Sequence, residues 1–182
     1  QSPSSAASDV YKRQPNNCAL ILNIGTTTEQ VARALTDHKD LLVISNNINV
    51  IQIFRNSQMR DLVIVGGGVR QSDGAIVGDE AVEFIGRYKV DYAVIGASSL
   101  DIDGTVLDFD SREVAVARTI LKNARTRILV ADSSKFERSA PVRICTLGDL
   151  DYVILDRQPP LEFQEAAARE GTQILMDTPG YE

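Results

Sequence analysis

The sequence lacks the residues on which several classes of protein depend. Its 182 residues include one histidine, His38, and two cysteines, Cys18 and Cys145, which lie far apart in the chain. Two separated cysteines provide neither a disulfide framework nor a metal cluster. A serine or cysteine hydrolase would have to use His38, and the sequence contains no G-x-S-x-G nucleophile elbow. We therefore expect no hydrolytic triad, no metal site and no cofactor.

The sequence also lacks a long apolar run and an excess of positive charge. No stretch approaches the roughly 20 apolar residues that span a bilayer, and no leader of the secretory kind is recognisable. The net charge is −6 and the isoelectric point is about 4.9, so a phosphate backbone should repel this polypeptide. We expect a cytoplasmic protein that makes no membrane contact and does not itself bind nucleic acid.

Residues 1–14 differ from the rest of the chain. The segment QSPSSAASDVYKRQ is small, polar and without periodicity, as is typical of a disordered or non-native leader. The remaining residues, 15–182, are numerous enough to bury one substantial core, and apolar residues make up 43% of the whole chain. We therefore expect one domain over 15–182 and exclude the leader from the fold prediction.

Apolar runs of strand length recur along the chain and predict the fold class. They lie at residues 18–24, 41–45, 61–65, 90–96, 127–132, 151–156 and 172–176. Most are continuous rather than alternating, which is typical of strands that are buried on both faces of a parallel sheet. Helical patterns lie between them, at residues 27–36, 48–56, 79–87, 111–124 and 160–169. This alternation predicts an α/β fold in which helices cover both faces of a mostly parallel sheet.

The first junction between a strand and a helix has the sequence Gly25-Thr26-Thr27-Thr28. Ligands of open α/β sheets bind at the carboxyl ends of strands, and free N–H groups at a helix start favour an anion. Because the Walker A motif G-x-x-x-x-G-K-[ST] is absent, the junction favours a small phosphorylated compound over a nucleotide to be hydrolysed. The alternative is a capping box formed by Thr27 and Gln30. The motif alone does not decide between the two.

Three further junctions carry polar residues or glycines. Asn46 lies in SNNIN after the second strand, where an asparagine either caps the next helix or donates to a ligand. Gly68 ends the run GGG after the third strand, and Arg70 follows it within reach of an anion. Lys135 lies in ADSSKFER after the strand at 127–132, where it is either an ordinary exposed lysine or the partner of a phosphate.

An acidic segment precedes and enters the predicted helix at 111–124. Asp108, Asp110 and Glu113 gather in the sequence LDFDSREV. The structural interpretation is a helix start, with Ser111 as the N-cap and Glu113 favoured by the helix dipole. The functional interpretation is a group of acceptors for a bound ligand. Because these junctions belong to one edge of one sheet, we expect them to form a pocket.

Six motifs in register resemble the C-terminal sensor domain of DeoR-type transcriptional repressors. They are GTTT, SNNINV, GGGVRxxDGAIVG, IGASSLDxDG, EVAVAR and ADSSKF, and the match covers residues 18–176. The resemblance implies a fold similar to ribose-5-phosphate isomerase, binding of phosphorylated sugars or polyols, and association into homo-oligomers. It also implies an N-terminal winged helix-turn-helix that binds operator DNA. No such segment is found in this sequence, so we expect a truncated repressor that retains the sensor.

The resemblance also implies a ligand pocket with three parts, namely a phosphate site, a polar wall and acceptors for ligand hydroxyl groups. The residues so implied are Gly25, Thr26, Thr27, Thr28 and Lys135 for the phosphate, Asn46, Gly68 and Arg70 for the wall, and Asp110 and Glu113 for the hydroxyl groups. Asn23 stands where many relatives carry aspartate.

The resemblance implies that the chain is the effector-binding domain of a repressor of carbohydrate or glycerol metabolism. The expected effector is a small phosphorylated polyol or sugar such as glycerol-3-phosphate, and the protein is not expected to be an enzyme. The alternative is an aldose–ketose sugar-phosphate isomerase, in which a carboxylate would act as general base. The lysine- and glycine-rich catalytic segment of such isomerases is not found near residues 108–113, which favours the regulator.

Overall fold

The computed structural model describes residues 17–177, which contain five α-helices, twelve strands and two short 3₁₀ turns. The strands are β1 (Ala19–Leu22), β2 (Leu42–Ser45), β3 (Asp61–Ile64), β4 (Gly68–Arg70), β5 (Ala75–Val77), β6 (Val90–Ile95), β7 (Ser99–Leu100), β8 (Thr105–Asp108), β9 (Ala124–Ala131), β10 (Val142–Thr146), β11 (Tyr152–Leu155) and β12 (Gln173–Met176). The helices are α1 (Thr26–Ala34), α2 (Ile48–Phe54), α3 (Asp79–Gly86), α4 (Ser111–Lys122) and α5 (Leu161–Glu170). None of these helices is both long and apolar enough to cross a membrane. The leader predicted at residues 1–14 lies outside the described residues.

In residues 17–177, seven strands form one sheet in the order β12-β11-β9-β6-β1-β2-β3. Every pairing in this sheet is parallel. The seven predicted strands and the five predicted helices are all found, with differences of a few residues at their ends. The prediction of an α/β fold with a mostly parallel sheet is confirmed.

The central strands are buried on both faces, which explains their continuous apolar sequence. In β1, Leu20 and Leu22 pack with Val31 of α1 and Phe54 of α2, whereas Ile21 belongs to the core on the other face. That other face is covered by α3, α4 and α5. Full burial of a side chain of this size stabilises the fold by about 1.5–3 kcal/mol. The two cores therefore hold helices against both faces, as predicted.

The structure also contains two smaller antiparallel sheets, which the sequence does not predict. Strands β4 and β5 form a hairpin, and β10, β8 and β7 form a sheet of three strands. Each of these strands has only two to five residues. Such short segments do not show the periodicity by which a strand is recognised.

The order of the strands reverses direction at the centre of the large sheet. From β1 the chain continues to β2 and β3 on one side, and it then crosses to β6 on the other side of β1. The connections that leave β1 and β6 therefore diverge, which opens a crevice between the carboxyl ends of these two strands. In this class of fold, ligands bind at such a crevice.

Candidate functional site

A cavity of about 200 Å³ opens at the crevice between β1 and β6. Its walls come mainly from the segments that follow β1 and β6, from Asp73 between β4 and β5, from the start of α4 and from the 3₁₀ turn that follows β9. Side chains from distant parts of the sequence therefore meet in one place. We call this the central cavity.

Gly25 shapes the entry of the chain into α1. Its backbone has φ 119° and ψ 148°, a conformation that essentially only glycine adopts. A Cβ atom at this position would lie 3.8 Å from Thr28 Oγ1, so the requirement is conformational rather than steric. Gly25 is the N-cap residue of α1, and within residues 17–177 no side chain caps this helix. The predicted capping box of Thr27 and Gln30 is therefore wrong, because α1 begins at Thr26 and places Thr27 within its first turn.

The first turn of α1 presents backbone N–H groups to the central cavity. The first N–H groups of a helix have no acceptor within the helix. Here the first backbone hydrogen bond runs from the Glu29 N–H to the Gly25 carbonyl, at 3.0 Å. The Thr28 hydroxyl donates to the Ile24 carbonyl at 3.4 Å, while Thr27 is half-buried at the cavity wall. Together with the positive end of the helix dipole, these groups suit an anion.

Lys135 contributes positive charge to the same cavity and is the one cation among the described residues that line it. It lies in the 3₁₀ turn Ser133–Glu137, and its side chain is 19% exposed. Asp132 caps this turn, and its carboxylate lies 4.0 Å from Lys135 Nζ. Phe136 packs edge-on against Phe163 of α5, with ring centres 4.9 Å apart. The turn is thus held on both sides, which fixes the position of the lysine.

Asn23 and Gly96 follow the two central strands directly. Asn23 is only 4% exposed, and its Oδ1 atom has no hydrogen-bond partner within residues 17–177. A buried polar atom without a partner costs about 1–3 kcal/mol, which a ligand hydroxyl could offset by donating to it. A Cβ atom on Gly96 would lie 3.3 Å from the Ile24 carbonyl. Gly96 therefore permits the close approach of the two strand ends.

Asp108 and Glu113 are neighbouring carboxylates at the cavity wall. Ser98 donates its hydroxyl hydrogen to Asp108 Oδ1 at 2.9 Å, and the Phe109 N–H donates to the same oxygen at 2.7 Å. Burial raises the pKa of Glu113 to about 7, reinforced by the Asp108 carboxylate and opposed by a hydrogen bond from Arg70. Near neutral pH, Glu113 therefore exists in both the protonated and the ionised form.

Arg70 reaches Glu113 from the β4–β5 hairpin. Its guanidinium pairs with Glu113, with Asp110 at 3.1 Å and with Asp73 at 2.5 Å. Its hydrogen bond to Asp73 and, less strongly, its pairing with Glu113 raise the pKa of Arg70, while burial opposes them. Arg70 was predicted to line the pocket, but it does not line the central cavity, and three carboxylates engage its guanidinium. It instead ties the hairpin to the start of α4.

Asp110 caps α4 and does not line the central cavity. Its side chain accepts a hydrogen bond from the Arg112 N–H at 2.9 Å, and its hydrogen bonds with the Arg112 side chain lower the pKa of Asp110. The predicted cap at Ser111 is wrong, because that residue is already the first of the helix. Gly68 also lies outside the cavity lining, since it begins β4 and pairs with Val77 of the hairpin.

Asn46 lies in a polar network beside the hairpin and not at the cavity wall. Its side-chain amide donates to the Ile76 carbonyl at 3.2 Å. The next residue, Asn47, caps α2 by accepting from the Asn49 N–H at 2.9 Å. The amides of Asn47 and Asn49 both donate to Glu29 Oε1, at 3.1 and 2.9 Å. Capping by an asparagine of this segment is thus confirmed.

The structure brings together six of the ten predicted site residues. The six that line the central cavity are Gly25, Thr26, Thr27, Thr28, Glu113 and Lys135. The other four, Asn46, Gly68, Arg70 and Asp110, surround it without lining it. The sequence patterns do not single out Gly96 and Ser98 as site residues. Both follow the central strand β6, and that position is the signal that identifies them.

Comparison with known proteins yields one family and several relatives. The family model of the DeoR C terminal sensor domain matches residues 4–157. The glycerol-3-phosphate regulon repressor of Haemophilus influenzae is 41% identical over 153 residues, which cover 84% of this chain and 60% of that protein. The repressor of the same name from Escherichia coli K12 is 35% identical over 170 residues, which cover 93% of this chain and 68% of that protein. The chain thus spans about two thirds of the length of these relatives.

The fold also has counterparts among solved structures. Ribose 5-phosphate isomerase A from Methanocaldococcus jannaschii aligns with a TM-score of 0.51 at 15% identity, covering 74% of this chain and 53% of the isomerase. The predicted likeness to the fold of ribose-5-phosphate isomerase is confirmed. At this level of identity, the likeness concerns the fold alone.

Proposed function

The chain belongs to the family of DeoR C-terminal sensor domains, and from that premise we propose that its central cavity binds a small phosphorylated polyol. The best candidate is glycerol-3-phosphate. One observation carries the proposal: a single cavity combines an uncapped helix start and a lysine, which suit a phosphate, with the three carboxylates of Asp73, Asp108 and Glu113, which suit hydroxyl groups. Two relatives that are 41% and 35% identical are named glycerol-3-phosphate regulon repressors, which supports this choice of ligand.

The phosphate would lie against the first turn of α1. Gly25 keeps the backbone open there, and the N–H groups and hydroxyls of Thr26 and Thr27 would donate to phosphate oxygens. Lys135 would add a charge-assisted contact from its rigid turn. A hydrogen bond of this kind contributes about 1.5–3 kcal/mol.

The hydroxyl groups of the ligand would contact the acidic wall. Asn23 Oδ1 is a buried acceptor without a partner in the described part of the chain. Asp108 accepts hydrogen bonds, and Glu113 can accept or donate near neutral pH because its pKa is about 7. Arg70 would act indirectly in this scheme, by holding Glu113 in place.

We place this domain in a cytoplasmic repressor of glycerol or carbohydrate genes, without catalytic activity of its own. Operator DNA would be bound by a helix-turn-helix segment outside these 182 residues, which agrees with the net charge of −6. The effector would shift the balance between arrangements of a homo-oligomer. A coupling free energy of about 1–3 kcal/mol is enough to change operator affinity about 5- to 150-fold.

Calorimetric titration of the chain with glycerol-3-phosphate tests the proposal. We expect binding to weaken about tenfold to a hundredfold in Lys135→Met, since the variant loses one charge-assisted contact but keeps the apolar stem. Lys39→Met, an exposed lysine outside the cavity, is the matched control and should leave the affinity unchanged. Absence of binding by folded protein, or equal affinities of wild type and Lys135→Met, would overturn the site.

The second candidate function is aldose–ketose isomerisation of a sugar phosphate. The observation that favours it is Glu113, whose pKa of about 7 beside Asp108 would suit a general base. Incubation with ribose-5-phosphate, followed by an assay for the ketose, separates the two functions. We expect no turnover above that of a Glu113→Gln variant. Turnover that depends on Glu113 would reverse the ranking.

A further inference from the structure

A second cavity, of about 440 Å³, lies beside α4 and β10. We propose that it binds a small polyanion that carries two or more phosphate or carboxylate groups. We call it the basic cavity. It shares Ile144 with the central cavity, but its polar side chains are different ones.

The basic cavity has an excess of positive charge, although the chain as a whole is acidic. Its lining includes four cations and one carboxylate, whereas the whole chain carries a net charge of −6. The cations are Arg118 and Lys122 of α4, Arg127 of β9 and Arg143 of β10. Three separate elements thus contribute positive charge to one concave surface, which attracts anions.

Three of the four cations have no carboxylate in direct contact within residues 17–177. Arg127 pairs with Asp151 at 3.3 Å, but within residues 17–177 no carboxylate lies within 4.0 Å of the charged groups of Arg118, Lys122 or Arg143. The lining carboxylate, Asp149, accepts from the Thr146 N–H at 3.0 Å and so serves the 3₁₀ turn after β10. The cavity therefore retains an excess of positive charge.

Arg118 is already fixed in position. Its Nε–H donates to the Ile144 carbonyl at 3.0 Å, and its Nη2 group donates to the Arg143 carbonyl at 2.6 Å. A guanidinium has five N–H donors, so further donors remain for a ligand. Because these bonds hold the side chain in place, binding an anion would cost little additional ordering of Arg118.

An ordinary structural role explains only part of this arrangement. Lys122 lies in the last turn of α4, where the helix dipole favours a cation. The dipole does not account for Arg143, which belongs to β10, and Arg118 and Lys122 repel each other because they lie four residues apart on one helix. An anion among the three would remove this repulsion. The volume of about 440 Å³ exceeds that of the central cavity and suits a ligand larger than a single phosphate.

Titration of the chain with inorganic pyrophosphate tests the proposal. We expect the double variant Lys122→Ala/Arg143→Ala to bind pyrophosphate about a hundredfold more weakly, since each lost charge-assisted contact weakens binding about tenfold. Lys135→Met, in the central cavity, shows whether pyrophosphate binds there instead. The double variant Lys39→Ala/Arg55→Ala changes the net charge equally at exposed positions and should retain the affinity.

Three outcomes would overturn the proposal. Loss of pyrophosphate binding in Lys135→Met alone would assign the ligand to the central cavity. If pyrophosphate affinity fell equally in the two double variants, the loss would be explained by the change in net charge alone. Tighter binding of a short DNA duplex than of pyrophosphate, with the same dependence on Lys122 and Arg143, would make this surface a nucleic-acid contact instead.

Discussion

The first junction, residues 23–28 between β1 and α1, and the second junction, residues 45–49 between β2 and α2, occupy neighbouring positions at the same edge of the sheet. At the second junction, Asn47 caps α2 and also donates to Glu29, although the buried Asn46 Oδ1 atom has no hydrogen-bond partner within residues 17–177. The first has no side-chain cap, and its glycine holds the backbone open. A side chain therefore stabilises the helix start at the second junction, whereas the helix start at the first junction is left available for a ligand.

Of the substitutions at the two junctions, Gly25→Ala should have the largest effect on stability and on ligand affinity. Alanine disfavours φ 119° and ψ 148°, so we expect the free energy of unfolding to fall by about 1–3 kcal/mol. Affinity for glycerol-3-phosphate should fall more than tenfold, because the N–H groups of the first turn would be displaced. Urea unfolding measures the first effect and calorimetry the second.

The matched control for this substitution is Gly86→Ala. Gly86 is the last residue of α3, with open space around its Cβ position and no positive φ. Alanine is favoured over glycine in a helix, so this variant should be as stable as wild type or more so. If the two glycine variants lost equal stability, the special conformation of Gly25 would not be the cause.

The substitution Asn47→Ala should weaken the second junction with a smaller effect. It removes the cap of α2 and a donor to Glu29, and we expect the free energy of unfolding to fall by about 1–2 kcal/mol. Affinity for the phosphate ligand should stay unchanged in folded protein, which separates this junction from the first. Asn47→Ser, which can cap but has no amide to reach Glu29, should recover part of the loss in urea unfolding. A large loss of affinity in folded Asn47→Ala would erase the contrast between the junctions.

The last prediction concerns pH and the cavity that the first junction helps to form. The pKa of Glu113 is raised from 4.5 to about 7 on folding, so the folded state holds a proton that the unfolded chain releases. This contribution to stability is present below about pH 4.5 and is lost as the pH rises through about 7. In Glu113→Gln, the fall in unfolding free energy between pH 5 and pH 8 should be shallower.

The substitution Asp108→Asn is the control for that measurement. Asp108 raises the pKa of Glu113, so its neutralisation should move the pH dependence to lower pH without abolishing it. An unchanged pH profile in both variants would show that Glu113 does not titrate in this range.

The large sheet could be predicted from the sequence because burial on both faces leaves a continuous apolar run in each strand. The first junction was open to prediction for a similar reason, since Gly25 and the threonines follow β1 directly. Which neighbouring residue caps a helix was harder to predict. Asn47 caps where Asn46 does not, and Asp110 caps in place of Ser111, because the helix start depends on packing.

The position of Arg70 could not be predicted from its local sequence. Two of its three carboxylate partners lie 40 and 43 residues away, and the hairpin that carries it has strands of three residues. A cation near a strand end predicts an anion partner, but the sequence does not show that the protein supplies three of its own. The distinction between lining the cavity and supporting it arises only from long-range contacts.

The residues that line the central cavity extend along the sequence from Asn23 to Ile144 and meet only when the central strands are assembled. A partly folded chain therefore lacks the complete site. A ligand that binds only the native state stabilises the whole fold against unfolding. At a hundred times its dissociation constant, such a ligand stabilises the native state by about 2.7 kcal/mol. Proteases that attack the unfolded chain would then find about a hundredfold fewer targets, so we expect the sensor to persist longer where its effector is abundant.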